Sequence, residues 1–355
     1  MLKYSFVDLY PYIFMFTFFI MILRFNINKK KKENIIFYTL LLFNILRYDV
    51  GWDYSTYIEE INMGVNELIY SRYEPLSKFI FIISALLDFY PLTFIVFGCL
   101  HFYLFRKVIN ELADDKQLAL IFYFLFPMFF LGDLSTIRQA VATQFVFASF
   151  LFLKKNQLKQ YFLFIIIAVC FQKSALFGLL YLLLYKKILP NYVNWTLFIA
   201  SFFLGEITKT FVSHNIFIDG FQYYFTSEET KATSTLNYYY YAINIFILLN
   251  YNRFVNINKE NAIYIQIANI GIFLFNIFLF EPITSTRSAL FFLYFWVLLF
   301  STLPKFKRIY SNRIIIILPF AIVFFIFLYL YVNSYNNGYL SKVSFIPYRL
   351  WLFNL

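Results

Sequence analysis

Ten charged residues stand apart from the rest of this chain. Arg47, Asp49, Asp53, Arg72, Glu74, Asp133, Arg138, Lys173, Glu281 and Arg287 lie near the ends of apolar runs, away from the basic loops. Arg138 opens the apolar stretch "IRQAVATQF", and Arg287 holds a matching place in "STRSALFF". A guanidinium grips phosphate with two parallel hydrogen bonds, and free N–H groups at a helix start add to them. Two such arginines predict an anion site. Asp53 in "GWDYSTY" and Glu74 in "YEPL" are carboxylates that could take a proton from a hydroxyl, as a general base does. Asp53 equally suits a turn beside Gly51, and Glu281 suits the positioning of an arginine. Trp52 and the nearby tyrosines offer faces that stack on sugars or sit in an interfacial aromatic belt. The combination predicts a cavity with arginines for a phosphate, carboxylates for proton transfer and aromatic walls. A lipid-linked donor fits it, because its pyrophosphate leaving group already lies at the membrane surface. The sequence has no nucleotide-binding loop and no evident metal cluster.

The elements that must position these residues are apolar. The 355 residues are 61% hydrophobic and only 14% charged, where a soluble domain carries roughly a quarter charged residues. Mean hydropathy is +0.67. This is the composition of an all-α polytopic membrane protein. Apolar stretches at 9–26, 34–48, 91–107, 118–132, 136–153, 160–172, 174–185, 192–205, 238–251, 262–280, 285–303 and 314–333 predict about twelve transmembrane helices, some short or broken. Basic residues, from Lys29–Lys32 through Arg106, Lys107, Lys154, Lys155, Lys186, Lys187 and Arg253 to Lys305 and Arg308, follow every odd-numbered stretch. The positive-inside rule then places those loops in the cytoplasm and both termini outside. It also explains the net charge of +11 without nucleic acid. Residues 1–355 form a single integral membrane domain with long outer loops at 48–90 and 206–237. The first of these includes "EPLSKFIFIISALLDFY", which predicts an amphipathic helix on the outer face, with Pro75 in its first turn. The stretch 160–185 reads as one long helix or as two short ones meeting at Phe171-Gln-Lys-Ser174; basic residues flank both ends, which favours two. Cys99 and Cys170 have no partner spacing, and His101 has no evident carboxylate partner. The first apolar run lacks the basic leader and small-residue cleavage site of a signal peptide.

The order Arg47…Gly51-Trp-Asp53-Tyr54…Tyr57, Glu74-Pro75, Ile137-Arg138-Gln139 and Phe171-Gln172-Lys173-Ser174-Ala175-Leu176 resembles the EpsG family of Wzy-type polysaccharide polymerases. The likeness covers about residues 10–190 by motif and the remainder by topology. Trp52 and "EPLSKF" depart from the family's usual "G-[ST]-D-Y" and "E-P-G-F". Gln172 stands where the family commonly has His; an amide does not titrate, but it can hydrogen-bond a sugar or phosphate. The resemblance implies a GT-C-like architecture and a metal-independent glycosyl transfer on the outer face of the inner membrane. Its donor and acceptor are glycans on undecaprenyl diphosphate. Membrane lipid, a chain-length regulator and a flippase are the further partners implied, and no cofactor is. The expected catalytic residues are Asp53, Glu74, Arg138 and Arg287, with Asp53 the first choice for general base and Glu74 the second. The expected substrate-binding residues are Arg47, Tyr54, Tyr57, Gln139, Gln172, Lys173 and Glu281. A flippase for the same lipid-linked glycan, an O-antigen ligase and a membrane O-acyltransferase are the rival readings.

Overall fold

The computed structural model describes residues 4–214, 234–306, 312–338 and 344–353. Most of the outer loop expected at 206–237 and part of the C-terminal tail lie outside the described residues.

The helices in chain order are α1 (Tyr10–Arg24), α2 (Lys29–Ile45), α3 (Tyr54–Asn62), α4 (Val65–Tyr70), α5 (Pro75–Leu86), α6 (Pro91–Leu112), α7 (Lys116–Leu125), α8 (Pro127–Ser135) and α9 (Ile137–Lys154). They continue as α10 (Leu158–Phe171), α11 (Leu180–Tyr185), α12 (Asn191–His214), α13 (Ser234–Leu249), α14 (Tyr251–Ile257), α15 (Asn261–Ile277), α16 (Pro282–Leu293), α17 (Phe295–Ser301) and α18 (Arg313–Asn336). Each apolar stretch in the sequence coincides with a helix or a pair of helices. By length and apolarity, three of the described helices can cross a membrane, or five spans if each bent pair counts as one. The stretch 160–185 is divided: α10 stops at Phe171, Gln172 is extended, and a 3-10 turn over Lys173–Leu179 leads into α11.

The breaks have local causes. Pro127 lacks an N–H and disfavours a helical conformation at the residue before it. Phe126 accordingly takes ψ 106°, and α7 meets α8 at 67°. Starts are capped in the usual way: Asp115 accepts from the Leu118 N–H at 3.2 Å, and Asn28 from the Lys30 N–H at 2.9 Å. Pro75, Pro127 and Pro282 each take a first-turn position, where a missing N–H is no loss.

Burial divides the bundle. Every residue of α7 after Lys116 is buried, and so is every residue of α17. By contrast α1 and α18 bury only 28% of their apolar windows and leave Phe14, Met21, Ile322 and Ile326 exposed. An apolar helix with so much uncovered surface belongs against lipid. Amides join the helices of the second half. Asn244 donates to Asn269 at 3.0 Å, Asn269 to the Asn194 carbonyl at 3.0 Å, and Asn276 to Ser201 at 2.7 Å. Such bonds are the glue between helices in an apolar solvent. Gly205 lets α12 approach closely, because a Cβ there would lie 2.5 Å from the Asn276 carbonyl oxygen.

One end of the bundle gathers ion pairs among the basic loops: Lys155–Glu111 at 2.8 Å, Lys154–Glu260 at 2.7 Å, Lys305–Asp114 at 2.9 Å and Arg313–Asp115 at 2.6 Å. The opposite end carries the loop after α2, the helices α3 to α5, and the start of α9. There, β1 (Arg47–Tyr48) pairs antiparallel with β2 (Arg349–Leu350) and ties the C-terminal segment to the loop that bears Asp53.

Candidate functional site

The loop bearing Asp53 is fixed by its glycine. Gly51 has φ +114°, and a Cβ on it would fall 2.1 Å from the Leu134 carbonyl oxygen at the end of α8. Only glycine meets both conditions. Its N–H donates to the Ser344 carbonyl at 2.6 Å, and the Trp52 N–H donates to Ser135 Oγ at 3.1 Å. The loop is thus pinned between α8 and the C-terminal segment, and α3 begins directly after Asp53.

Asp53 and Arg287 line one cavity of about 550 Å³. Its walls come from α8 (Leu131, Ser135), α16 (Leu290) and α18 (Phe327). Tyr57, one turn into α3, donates to Asp53 Oδ2 at 3.5 Å. Burial raises the Asp53 pKa above the usual carboxylate value, and the charges of Arg287 and Arg138 pull it back down. Burial also raises the Tyr57 pKa, so its hydroxyl remains a donor.

Arg138, on the first turn of α9, is held by Glu74 and Tyr73, and Glu74 is itself held by Lys173. Its Nη1 lies 2.5 Å from Glu74 Oε2. Its guanidinium lies over the Tyr73 ring, 4.3 Å from the centroid. The other Glu74 oxygen accepts the Lys173 N–H at 3.0 Å. Glu74 is therefore occupied on both sides and only 7% exposed. Gln139 links the neighbouring elements: its Nε2 donates to the Arg287 carbonyl at 3.2 Å, and its Oε1 accepts from Ser174 at 3.2 Å. Arg287 is half-buried, and no hydrogen bond or ion pair engages its guanidinium among the described residues.

The expected residues fall into two groups. Asp53, Tyr57, Glu74, Arg138, Gln139 and Arg287 come together, with the Lys173 backbone and the buried Gln172 beside them. Three others serve packing or capping. Arg47 is fully buried; its Nε donates to the Val50 carbonyl at 3.2 Å, its Nη1 to Asn44, and its guanidinium lies over Phe94. Tyr54 stacks on Phe94, with ring centroids 4.4 Å apart. Glu281 caps α16, accepting the Ile283 N–H at 3.1 Å and the Thr284 N–H at 2.5 Å. A carboxylate directly before a proline at a helix start is a capping signal that the sequence carried.

A second polar centre corrects the reading of His101 as lacking a carboxylate partner. Asp133, on the face of α8 away from the cavity, accepts from the Tyr123 hydroxyl at 2.9 Å and the Tyr294 hydroxyl at 2.5 Å, both on Oδ2. His101 Nε2 lies 3.4 Å from the same oxygen. Tyr294 sits at the junction of α16 and α17, where that span bends by 43°, so its bond to Asp133 joins the two bent spans. No signal in the sequence could have found this pairing, because the four residues come from four separate elements with no shared spacing.

No group of His, Cys, Asp and Glu with metal-holding geometry occurs among the described residues. No curated protein and no solved structure matches the chain. The model of the EpsG family matches residues 33–350, nearly the whole chain, and the protein belongs to the EpsG family.

Proposed function

We propose that the protein polymerises oligosaccharide repeat units carried on undecaprenyl diphosphate, by glycosyl transfer on the outer face of the bacterial inner membrane. Membership of the EpsG family supports a polysaccharide-polymerase-like activity. The observation that supports the finer reading is that Asp53 and Arg287, from distant parts of the chain, line one cavity, with the charge of Arg138 near enough to act on Asp53. That cavity lies at the end of the bundle opposite the basic loops, which the positive-inside rule places outside. Twelve spans, in a GT-C-like arrangement, complete this topology.

In this mechanism the acceptor sugar hydroxyl is held beside Asp53. Its oxygen attacks the anomeric carbon of the donor glycan, and its proton passes to the carboxylate. The bond from that carbon to the diphosphate breaks, and undecaprenyl diphosphate leaves with the bonding electrons. Arg287 and Arg138 stabilise the charge that grows on the diphosphate. Asp53 is the better base than Glu74, because both Glu74 oxygens are taken while Asp53 faces the cavity. Glu74 orients Arg138, and Gln139 ties α9 to the backbone of Arg287.

The test is the length pattern of the glycan from a strain lacking the gene, with and without complementation. Single repeat units in place of a ladder agree with a polymerase. Loss of all surface glycan would indicate a flippase, and long polymer stranded on the lipid would indicate a ligase.

A further inference from the structure

A second cavity lies on the lipid-facing side of the bundle, separate from the site above. It is a groove of about 1450 Å³ between α1 and α2. Val7, Phe14 and Phe18 form one wall and Leu42 and Leu46 the other, and the strand carrying Arg349 closes its upper end. Phe14 and Leu42 are 67% and 49% exposed. From Val7 to Phe18 the groove runs along eleven residues, about 16 Å at the rise of a helix. That is about half of a hydrocarbon core of about 30 Å, so the groove spans one leaflet, with a cation at its polar end.

The segment that closes the groove also borders the catalytic cavity. Phe345 lines the cavity, while Tyr348, Arg349 and Leu350 line the groove. The segment is held on both sides: the Tyr12 hydroxyl donates to the Phe345 carbonyl at 2.8 Å, and β2 pairs with β1. Four residues separate Phe345 from Arg349, at most about 14 Å of extended chain. A diphosphate at Arg349 would therefore lie close to Asp53 but not on it.

That offset selects the occupant. In the donor the bond that breaks is at the diphosphate, so the donor's diphosphate must reach Arg138 and Arg287 themselves. In the acceptor the reacting hydroxyl is on a sugar distant from the diphosphate, so its lipid must be anchored to one side of the base. We infer that the groove between α1 and α2 holds the polyisoprenoid chain of the acceptor, with its diphosphate at Arg349 and its sugars crossing the C-terminal segment to Asp53. This rests on the polymerase reading above for the identity of the lipid and for the orientation of the groove in the outer leaflet.

The experiment uses the full chain in phosphatidylglycerol nanodiscs, with the photoreactive residue p-benzoylphenylalanine replacing Phe14. The probe is radiolabelled polyprenyl diphosphate. The expected result is a crosslink that unlabelled polyprenyl diphosphate competes away and that Arg349→Glu weakens about tenfold, the scale of a lost charge-assisted bond. A crosslink formed equally by labelled phosphatidylglycerol, or one indifferent to Arg349→Glu, would overturn the assignment to a prenyl diphosphate. The acceptor role is read by kinetics with a long-chain donor and a single-unit acceptor. Leu42→Trp, which fills the groove, should raise the KM for acceptor about tenfold and leave that for donor in place; an equal rise in both would overturn it. Crosslinking needs no turnover. A chain that never polymerises but still binds polyprenyl diphosphate in this groove would therefore count against the function and not against the groove.

Discussion

Helix α8 separates two carboxylates that differ in nearly every physical respect. On one face Asp53 is half-buried beside an open cavity, with a single side-chain hydrogen bond at 3.5 Å among the described residues and two arginine charges acting on it. On the other face Asp133 is 4% exposed, and two tyrosine hydroxyls converge on one of its oxygens. The first has charge and access and few bonds. The second has bonds and no room, since the space beside it is about 10 Å³, at or below what one water needs. Charge with access suits chemistry, whereas satisfied burial suits holding two bent spans in register. The presence of a carboxylate in a membrane protein therefore does not by itself mark a catalytic group; what matters is what its oxygens already hold.

Substitution should separate the two centres. Asp53→Asn keeps the shape of the loop and removes the base, and should lower polymerisation about 10²- to 10⁴-fold with an unchanged amount of folded protein in the membrane. Asp133→Ala should do the reverse. It strands two buried tyrosine hydroxyls at about 1–3 kcal/mol each, seen as a lower thermal midpoint in detergent and less protein in the membrane. Arg138→Lys keeps the charge but loses the fork that meets Glu74 and stacks on Tyr73. A loss of about tenfold to a hundredfold in rate is expected, measured with purified protein and lipid-linked units.

The pH profile sharpens the same contrast. In the proposed mechanism Asp53 acts as a carboxylate, so the rate should fall as pH drops through its pKa. Burial puts that pKa above the ordinary carboxylate value, and Arg287 is the larger of the two charges that lower it. Arg287→Met should therefore move the acid limb to higher pH, while Arg287→Lys should leave it nearly in place. An acid limb that ignores both variants would detach Arg287 from Asp53. The smallest effect belongs to Glu281, which has neither role. Glu281→Ala should cost about 1 kcal/mol of stability through the lost cap, read by thermal unfolding, and should not alter the pH profile.

What was legible in the sequence follows from what is periodic or contiguous. Apolar runs mark helices directly, but the run at 118–132, expected as one stretch, is divided by Pro127 into α7 and α8. Asp53, Arg138 and Arg287 stood out because charges at apolar ends have few reasons to exist. Their company was harder to read. Arg47 and Tyr54 share a motif with Asp53, yet both turn inward onto Phe94, because neighbours in a loop face different ways. The partners of Asp133 lie far off along the chain and meet only through packing. The amide bonds were not anticipated: Asn194 and Ser201, like Asn269 and Asn276, are seven residues apart and share a helix face, but that spacing does not name their partners.

The proposed function turns on Asp53 as the base of a polymerising site. The most direct test is the product length distribution from purified protein in vesicles supplied with lipid-linked repeat units, comparing wild type with Asp53→Asn at equal folded amounts. A ladder is expected from wild type and single units from the variant. A full ladder from Asp53→Asn would contradict it.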